Sequence, residues 1–264
     1  MTTSYLEVND WWPHSLDVRQ FGGPESTRRR ARMGSWVNSH WEAFIDEVPW
    51  FVDGGQPVAV GKLAAPGGWR PSDSIAAMFP HLADLLGSAH TSSVSIGPRE
   101  YVLFSWSTAV GISTWLSPRP AFTSADLLPA HRALLSAFGG IVERSGEPET
   151  TWLLNTTESL TEEEARFDAT FITDYRAFEG LPGGIPIDLP AYYSISREAN
   201  GNTTLCHRQS GEVLLFAPDH SFDDIEVLEG CPPYTLYRRR GGRTFVEWVE
   251  TVAQQWARAI TDEI

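Results

Sequence analysis

The apolar run Val213-Leu214-Leu215-Phe216 and the helix that opens at Thr244 decide the fold of this chain. The run ends at Ala217-Pro218, which predicts a buried strand that stops at a turn. Thr244 and Glu247 have the spacing of a capping box, which predicts the start of an α-helix. The apolar residues of this helix repeat at helical spacing and share one face: Phe245, Trp248, Val249, Val252, Trp256 and Ile260. The region therefore predicts a strand and a helix that are both packed.

An acidic loop lies between this strand and this helix. No lysine or arginine occurs from Gly211 to Gly230, and six acids do: Glu212, Asp219, Asp223, Asp224, Glu226 and Glu229. Nothing in this stretch resembles a reactive centre. We therefore interpret the loop as a negatively charged surface.

Further elements surround this region. Strands are predicted over residues 191–196, 203–208, 212–217 and 234–238, with a turn at 200–202. Upstream, residues 128–140 predict a helix that Pro129 opens and that Gly139-Gly140 caps. Residues 152–155 predict a short buried strand, and Thr161 with Glu164 predicts a second capping box.

The N-terminal part has its own pattern. Residues 1–34 are polar and irregular, and we favour a flexible arm or surface loop over a nucleic-acid contact through the arginines at 28–32. A helix is predicted from Ser35 to about Asp46, with His40 packed on its apolar face. A second helix is predicted over 72–87 with a break at Pro80. Alternation over 94–96, 101–106 and 110–115 predicts an antiparallel meander.

The composition excludes several classes of protein. The chain has 264 residues and a net charge of −14, which disfavours binding to nucleic acid or to an anionic membrane. Two cysteines, Cys206 and Cys231, fit a reducing cytosol, although their pairing stays open. We found no metal-binding spacing, secretory signal or membrane-spanning run, so we expect a cytoplasmic, soluble protein without cofactor or metal.

The order of several motifs resembles the SMI1/KNR4 (SUKH) superfamily from about Thr123 to Ile260. The motifs are Leu128-Pro129, Phe138-Gly139-Gly140-Ile141, Trp152 to Asn155, Leu160 to Glu164, Gly211 to Phe216 with Asp219-His220, and Thr244 to Val249. This resemblance implies an α+β fold with a twisted, mostly antiparallel sheet flanked by helices. We expect an irregular arm at 1–34 and the SMI1/KNR4-like domain at 121–264. Between them, residues 35–120 are expected to form an N-terminal α+β portion, which either packs on the same sheet or is a separate domain.

The resemblance also implies a function without catalysis. Many bacterial members of this family are immunity proteins that neutralise a toxin, often a nuclease, which is encoded beside them. An acidic inhibitor can associate quickly with a basic nuclease groove through electrostatic steering. We therefore expect a protein partner, with a monomer or a homodimer both open. The predicted contact residues are Asp219, His220, Asp223, Asp224, Glu226, Glu229 and Trp69, with the acids between 143 and 179 beside them.

Two other functions compete with this one. The first is a scaffold or regulatory ligand-binding module. Exposed tryptophans outside the periodic elements could anchor its ligand, and the candidates are Trp11, Trp12, Trp50 and Trp69. Among these, Trp69 is the best candidate. The second is a hydrolase that uses Asp219-His220, His207 or Ser210, but no nucleophile-elbow motif supports it. We rank the hydrolase last and predict no catalytic residue.

Overall fold

A computed structural model of the chain describes residues 38–52, 54–109, 111–120, 126–148, 151–219 and 224–262. The described residues form an α+β fold with two antiparallel sheets. The helices are α1 (Ser39–Glu47), α2 (Asp73–Met78), α3 (Pro80–Ser88), α4 (Pro129–Leu135) and α5 (Phe245–Asp262). The first sheet contains β1 (Val58–Val60), β2 (His90–Ile96), β3 (Arg99–Ser107), β4 (Ile112–Pro118) and β5 (Glu143–Ser145), in that order.

The second sheet is built mostly from the C-terminal half of the chain. Its strands are β6 (Thr156–Ser159), β7 (Tyr192–Glu198), β8 (Thr203–His207), β9 (Val213–Phe216), β10 (Ile225–Val227) and β11 (Leu236–Arg239). They lie in the order β10-β11-β9-β8-β7-β6. Strands β5 and β6 are therefore edge strands of different sheets. The chain joins these edges where Ile141 exchanges two backbone hydrogen bonds with Ser159, at 2.7 and 2.9 Å.

Each sheet buries both of its faces, because successive side chains of a strand point to opposite sides. In the first sheet, Leu103 packs toward α1, and Phe104 packs toward the central helices. In the second sheet, Cys206 faces the central helices, and Leu205 faces a segment of short 3-10 turns between residues 164 and 191. Both sheets thus contribute one face to a shared cluster around α5.

Tryptophans form the centre of this shared cluster. The rings of Trp115 and Trp256 lie 5.0 Å apart, and those of Trp106 and Trp115 lie 5.4 Å apart. Trp256 is fully buried on α5, as its helical spacing predicted. Truncation of such a core side chain to alanine costs about 3–5 kcal/mol. Because the cluster joins residues from both sides of position 120, the parts at 35–120 and 121–264 share one core.

The helix predictions that depend on residues close together in the chain are confirmed. Thr244 and Glu247 form the capping box of α5, with their backbone N–H groups 3.1 and 3.4 Å from the partner oxygens. The helix predicted over 72–87 is broken into α2 and α3, since α3 begins at Pro80. Glu250 of α5 caps α3 by accepting from the backbone N–H groups of His81 and Leu82. The meander of β2, β3 and β4 is confirmed as well.

Three local predictions are wrong. Residues 152–155 form turns rather than a strand, and Asn155 has a φ of 57°. The Gly139-Gly140 pair does not cap α4, which ends at Leu135. Instead Gly140, with a φ of +86°, lets the backbone pass so close to Leu160 that a Cβ would lie 2.6 Å from its carbonyl carbon. Finally, the acidic loop contains strand β10, which the sequence pattern did not indicate.

The second capping box is half correct. Thr161 accepts from the backbone N–H of Glu164 at 3.0 Å, as predicted. The Glu164 side chain does not reach back, because it is buried and takes part in an ion pair described below. Only a short 3-10 turn, Glu164–Arg166, follows. The predicted arm at residues 1–34 lies outside the described residues.

Candidate functional site

Arginines in β11 and directly after it pair with some of the acids of the loop. Antiparallel pairing sets Glu226 of β10 opposite Arg238 of β11. The Arg239 guanidinium lies 3.0 Å from a carboxylate oxygen of Asp224, and that of Arg240 lies 3.2 Å from Glu226. Opposite charges across neighbouring strands stabilise such a pair. The charge that the sequence predicted for this surface is therefore partly compensated within the molecule.

Glu212 belongs to the same set of ion pairs. It accepts from the Tyr192 hydroxyl at 2.6 Å and from the Arg238 guanidinium at 2.9 Å. Partial burial raises the pKa of the Glu212 carboxyl, but the hydrogen bonds from Tyr192 and Arg238 outweigh it and leave the pKa lowered. Glu212 is thus held in its charged form by groups of its own sheet.

The predicted contact residues are not equivalent in the structure. His220 and Asp223 lie outside the described residues, as do Trp11 and Trp12. Asp219 lies near Tyr175, where its charge adds to burial in raising the pKa of that hydroxyl. Asp224 and Glu226 are in the ion pairs above, and Glu229 is exposed.

The expectation that Trp69 is exposed is wrong. Its side chain is half-buried, and its ring lies edge-on to Phe104 with the centroids 6.0 Å apart. The indole Nε1–H donates to the backbone carbonyl of Ala137 at 3.3 Å. Trp69 therefore packs against the central core and is not an exposed anchor. Its partners Phe104 and Ala137 lie far along the chain, so no local pattern indicated this packing.

An acidic groove lies where the edges of the two sheets meet. Its cavity volume is about 680 Å³, and it is bordered by the end of α1, by Trp50, by β5 and by the first residues of β6. Three carboxylates line it, those of Glu47, Glu143 and Glu147, together with one arginine, Arg144. We call it the Trp50 groove.

Short-range geometry explains why Trp50 is exposed. Pro49 opens a 3-10 turn over Pro49–Phe51, and the next aromatic residue, Phe51, packs inward against Phe44 and Tyr101 with ring centroids 6.1 and 6.0 Å away. Its neighbour Trp50 is directed outward and is 67% exposed, the highest value among the large hydrophobic residues described. The sequence-based expectation for Trp50 is confirmed.

The carboxylates of the Trp50 groove differ in their partners. Glu147 is paired with the Arg144 guanidinium, which also donates to the backbone carbonyl of Thr156. Glu47 accepts the backbone N–H of Gly146 at 2.8 Å, and Glu143 accepts that of Arg144 at 3.0 Å. Burial raises the pKa of Glu143, against hydrogen bonds from Arg144 and the Trp50 side chain that lower it. Neither Glu47 nor Glu143 forms a direct ion pair with an arginine among the described residues, although the charge of Arg144 also acts on Glu143.

Gly146 allows this arrangement. Its φ is +58°, a conformation that favours glycine, and a Cβ there would lie 2.8 Å from the carbonyl oxygen of Ile112. The backbone N–H of Gly146 can therefore approach Glu47 while β5 stays paired to β4. No sequence motif marks the groove, because its residues come from segments far apart in the chain.

The acids between 143 and 179 have mostly structural roles. Glu164 is fully buried, accepts from the Ser194 hydroxyl, and lies 2.8 Å from the Arg197 guanidinium. Burial raises its pKa despite these two partners. Glu163 pairs with Arg166 at the surface, and Asp168 caps a 3-10 turn at Thr170. Glu164, Glu163 and Asp168 thus have partners within the fold.

His207, one of the residues proposed for a hydrolase, has structural partners. Nδ1 of His207 accepts the backbone N–H groups of Gln209 and Ser210 at 3.2 and 3.0 Å, which fixes its ring in the β8–β9 turn. A serine–histidine contact does occur between Ser105 and Nδ1 of His40, at 2.6 Å. Ser105 is fully buried, and His40 nearly so, which confirms the prediction of a packed histidine.

Two further reactive groups among the described residues, His131 and Cys206, are also buried. Burial lowers the pKa of His131 to about 4, and its Nδ1 lies 3.0 Å from the Tyr193 hydroxyl. Cys206 and Cys231 are free thiols, and burial raises the pKa of Cys206 to about 12, which makes it unreactive. Within the described ranges, no three His, Cys, Asp or Glu residues are grouped so that they could hold a metal ion.

Taken together, the fold and these surfaces define an acidic α+β protein with two antiparallel sheets and an aromatic, carboxylate-lined groove between their edges. Comparison of the chain with protein-family models, with curated proteins and with solved structures found no match. In the part of the chain that the structure describes, the helices lack the combination of length and apolar character that crossing a bilayer requires.

Proposed function

We propose that this protein is a non-catalytic binding module that recognises a basic protein partner, as an immunity-type inhibitor of a toxin would. The partner class is a cytoplasmic target with a cationic surface, such as the substrate groove of a nuclease. Recognition through an acidic surface gives fast association and selects against acidic competitors. The motif order that resembles the SMI1/KNR4 superfamily supports the same function.

The observation that carries this proposal is the distribution of unpaired charge. The following arginines each lie next to a carboxylate of this chain: Arg119, Arg144, Arg166, Arg197, Arg238, Arg239, Arg240 and Arg243. The chain has 34 acids and 20 bases, so its net charge of −14 comes from acids in excess of the bases that could pair with them. A surface of this kind attracts a cationic partner over a distance of about one Debye length.

The arrangement of the histidines favours binding over catalysis. A general base must reach the proton that it removes, and it needs a neighbouring group that orients it. His40 and His131 are buried, and the ring nitrogen of His207 is occupied by its own turn. These contacts support a structural role for each of the three residues.

Co-expression tests the proposal. A reading frame next to this gene that encodes a secreted toxin with a basic C-terminal domain supplies the partner, and cell survival is measured with and without this protein. We expect rescue, together with co-purification that weakens steeply when the salt is raised from about 0.1 to about 1 M. A toxin domain that neither binds at low salt nor is neutralised would contradict the proposal.

A further inference from the structure

We propose that the Trp50 groove is the docking site for a single arginine side chain of the partner protein. The proposal rests on the function above for the identity of the partner, but the groove can be tested without it. The carboxylates of Glu47 and Glu143, the exposed ring of Trp50 and a buried hydroxyl carry the argument.

The first step concerns charge and acceptor capacity. Three carboxylates and one guanidinium line the groove, and that guanidinium is already bound to Glu147 and to the Thr156 carbonyl. Glu47 and Glu143 each accept one backbone N–H, and a carboxylate offers about four lone-pair positions. Two negatively charged groups therefore retain acceptor positions for a cationic donor.

The second step concerns Trp50. A tryptophan that is 67% exposed presents its ring face to solvent, and the indole is the side chain that binds cations best over its face. Its side chain also lies close enough to Glu143 to lower the pKa of that carboxyl. A guanidinium can stack on such a ring while it donates in its own plane to a carboxylate, which an ammonium cannot do.

The third step is independent of the acids. Thr156 borders the groove and is only 4% exposed, yet its hydroxyl Oγ1 has no hydrogen-bond partner among the described residues. A buried hydroxyl without a partner costs about 1–3 kcal/mol, so such groups are rare in folded proteins. The N–H donors of a guanidinium in the groove could supply a partner to this oxygen or to either carboxylate.

The geometry also distinguishes an arginine from other ligands. An anion would be repelled by the surplus of carboxylates. A divalent cation requires several oxygen ligands within about 2.6 Å, and no described group of three His, Cys, Asp or Glu residues is close enough together to hold one. The cavity of about 680 Å³ has room for an arginine side chain that enters from a partner surface.

A titration of the full-length protein with Nα-acetyl-arginine amide tests the groove directly. The backbone amide of Gly146 is the NMR reporter, because it is bound to Glu47 and is present in every variant. We expect saturable shifts for the arginine amide and none for its neutral isostere, Nα-acetyl-citrulline amide. Trp50→Leu should weaken binding about three- to tenfold, and Glu143→Gln should weaken it by a similar factor.

Matched controls make each outcome decisive. Asp84→Asn removes one exposed carboxylate on α3, far from the groove lining, and should leave the affinity unchanged. Backbone amide spectra of the variants check that they fold as the wild type does. Equal shifts with citrulline, or wild-type affinity in both Trp50→Leu and Glu143→Gln, would overturn the proposal. A toxin neutralised equally well by Trp50→Leu would contradict the groove alone, whereas binding of the arginine amide without any basic protein partner would contradict only the proposed function.

Discussion

The acidic loop and the Trp50 groove are both rich in carboxylates, but their carboxylates have different partners. In the loop, Asp224 pairs with Arg239 of β11, and Glu226 pairs with Arg240, the residue that follows this strand. In the groove, Glu47 and Glu143 accept backbone N–H groups and form no direct ion pair, although the charge of Arg144 and the side chain of Trp50 also act on Glu143. A backbone N–H stabilises a carboxylate without cancelling its charge, whereas a guanidinium cancels it.

This difference separates acids that stabilise the fold from acids that are available to a partner. A count of acids along the chain ranks the loop first, since no basic residue interrupts it. The structure changes this ranking for Asp224 and Glu226, because arginines that follow the loop pair with them. The contact roles of the loop and of the groove both remain predictions.

The largest effect on stability is expected at Glu164, which is fully buried and paired with an arginine. Glu164→Ala leaves the Arg197 guanidinium and the Ser194 hydroxyl without their acceptor, and we expect a loss of about 3–5 kcal/mol in the free energy of unfolding. Urea denaturation measures it. Glu163→Ala, which removes an exposed pair with Arg166, should change stability by less than about 0.5 kcal/mol. Equal losses of stability in the two variants would contradict the view that buried arginine–carboxylate pairs stabilise the fold more than exposed ones.

Acid conditions should destabilise the protein through His131, and any pH test of the two regions must allow for this. The folded-state pKa of His131, about 4, lies below its ordinary value of 6.5. Below pH 6.5 the unfolded chain therefore binds a proton that the folded chain does not, so stability falls as the pH drops from about 6.5 to about 4. The loss is about 3 kcal/mol.

Urea denaturation at a series of pH values measures this dependence. In His131→Phe the segment of the profile between pH 6.5 and 4 should become flatter, whatever the absolute stability of the variant. An unchanged slope would show that other groups cause the acid sensitivity.

Neutralising one carboxylate in each region is expected to change the free energy of unfolding differently. Asp224→Asn should lower the free energy of unfolding by about 1 kcal/mol, because it weakens the partner of the nearly buried Arg239. Glu143→Gln should leave it unchanged or raise it by up to about 0.5 kcal/mol at pH 7, because burial opposes the charge of Glu143. Thermal and urea unfolding at pH 7 compare the two variants. A clear loss of stability in Glu143→Gln would place Glu143 in the structural class with Asp224.

The smallest effect is expected for Trp50→Leu. An exposed side chain loses little on truncation, so stability should change by less than about 0.5 kcal/mol. Thermal unfolding measures the change, and Trp256→Leu, in the central core, is the matched comparison with a loss of several kcal/mol. A large loss for Trp50→Leu would mean that Trp50 supports the fold rather than the groove.

Local sequence signals predicted much of the fold. The capping box at Thr244, the break at Pro80 and the meander of β2 to β4 depend on residues close together in the chain, and all are confirmed. The wrong predictions have non-local causes. The buried position of Glu164 depends on Ser194 and Arg197, and the close approach at Gly140 depends on Leu160.

The candidate site was harder to predict for the same reason. The run Arg238 to Arg240 follows the acidic loop closely and was the available signal that the loop is paired. The exposure of Trp50 was expected because it lies outside any periodic element. Its proximity to Glu143 and Thr156 was not, since only the meeting of two sheet edges brings these segments together.

The most direct measurement compares partner affinity in the two regions. The basic domain identified by co-expression is titrated with the wild type, with Glu143→Gln and with Glu226→Gln at about 0.1 M salt. We expect Glu143→Gln to weaken binding about tenfold or more, and Glu226→Gln to change it by less than about twofold. A larger effect of Glu226→Gln, or no effect of Glu143→Gln, would contradict the view that the groove carries the charge available to a partner.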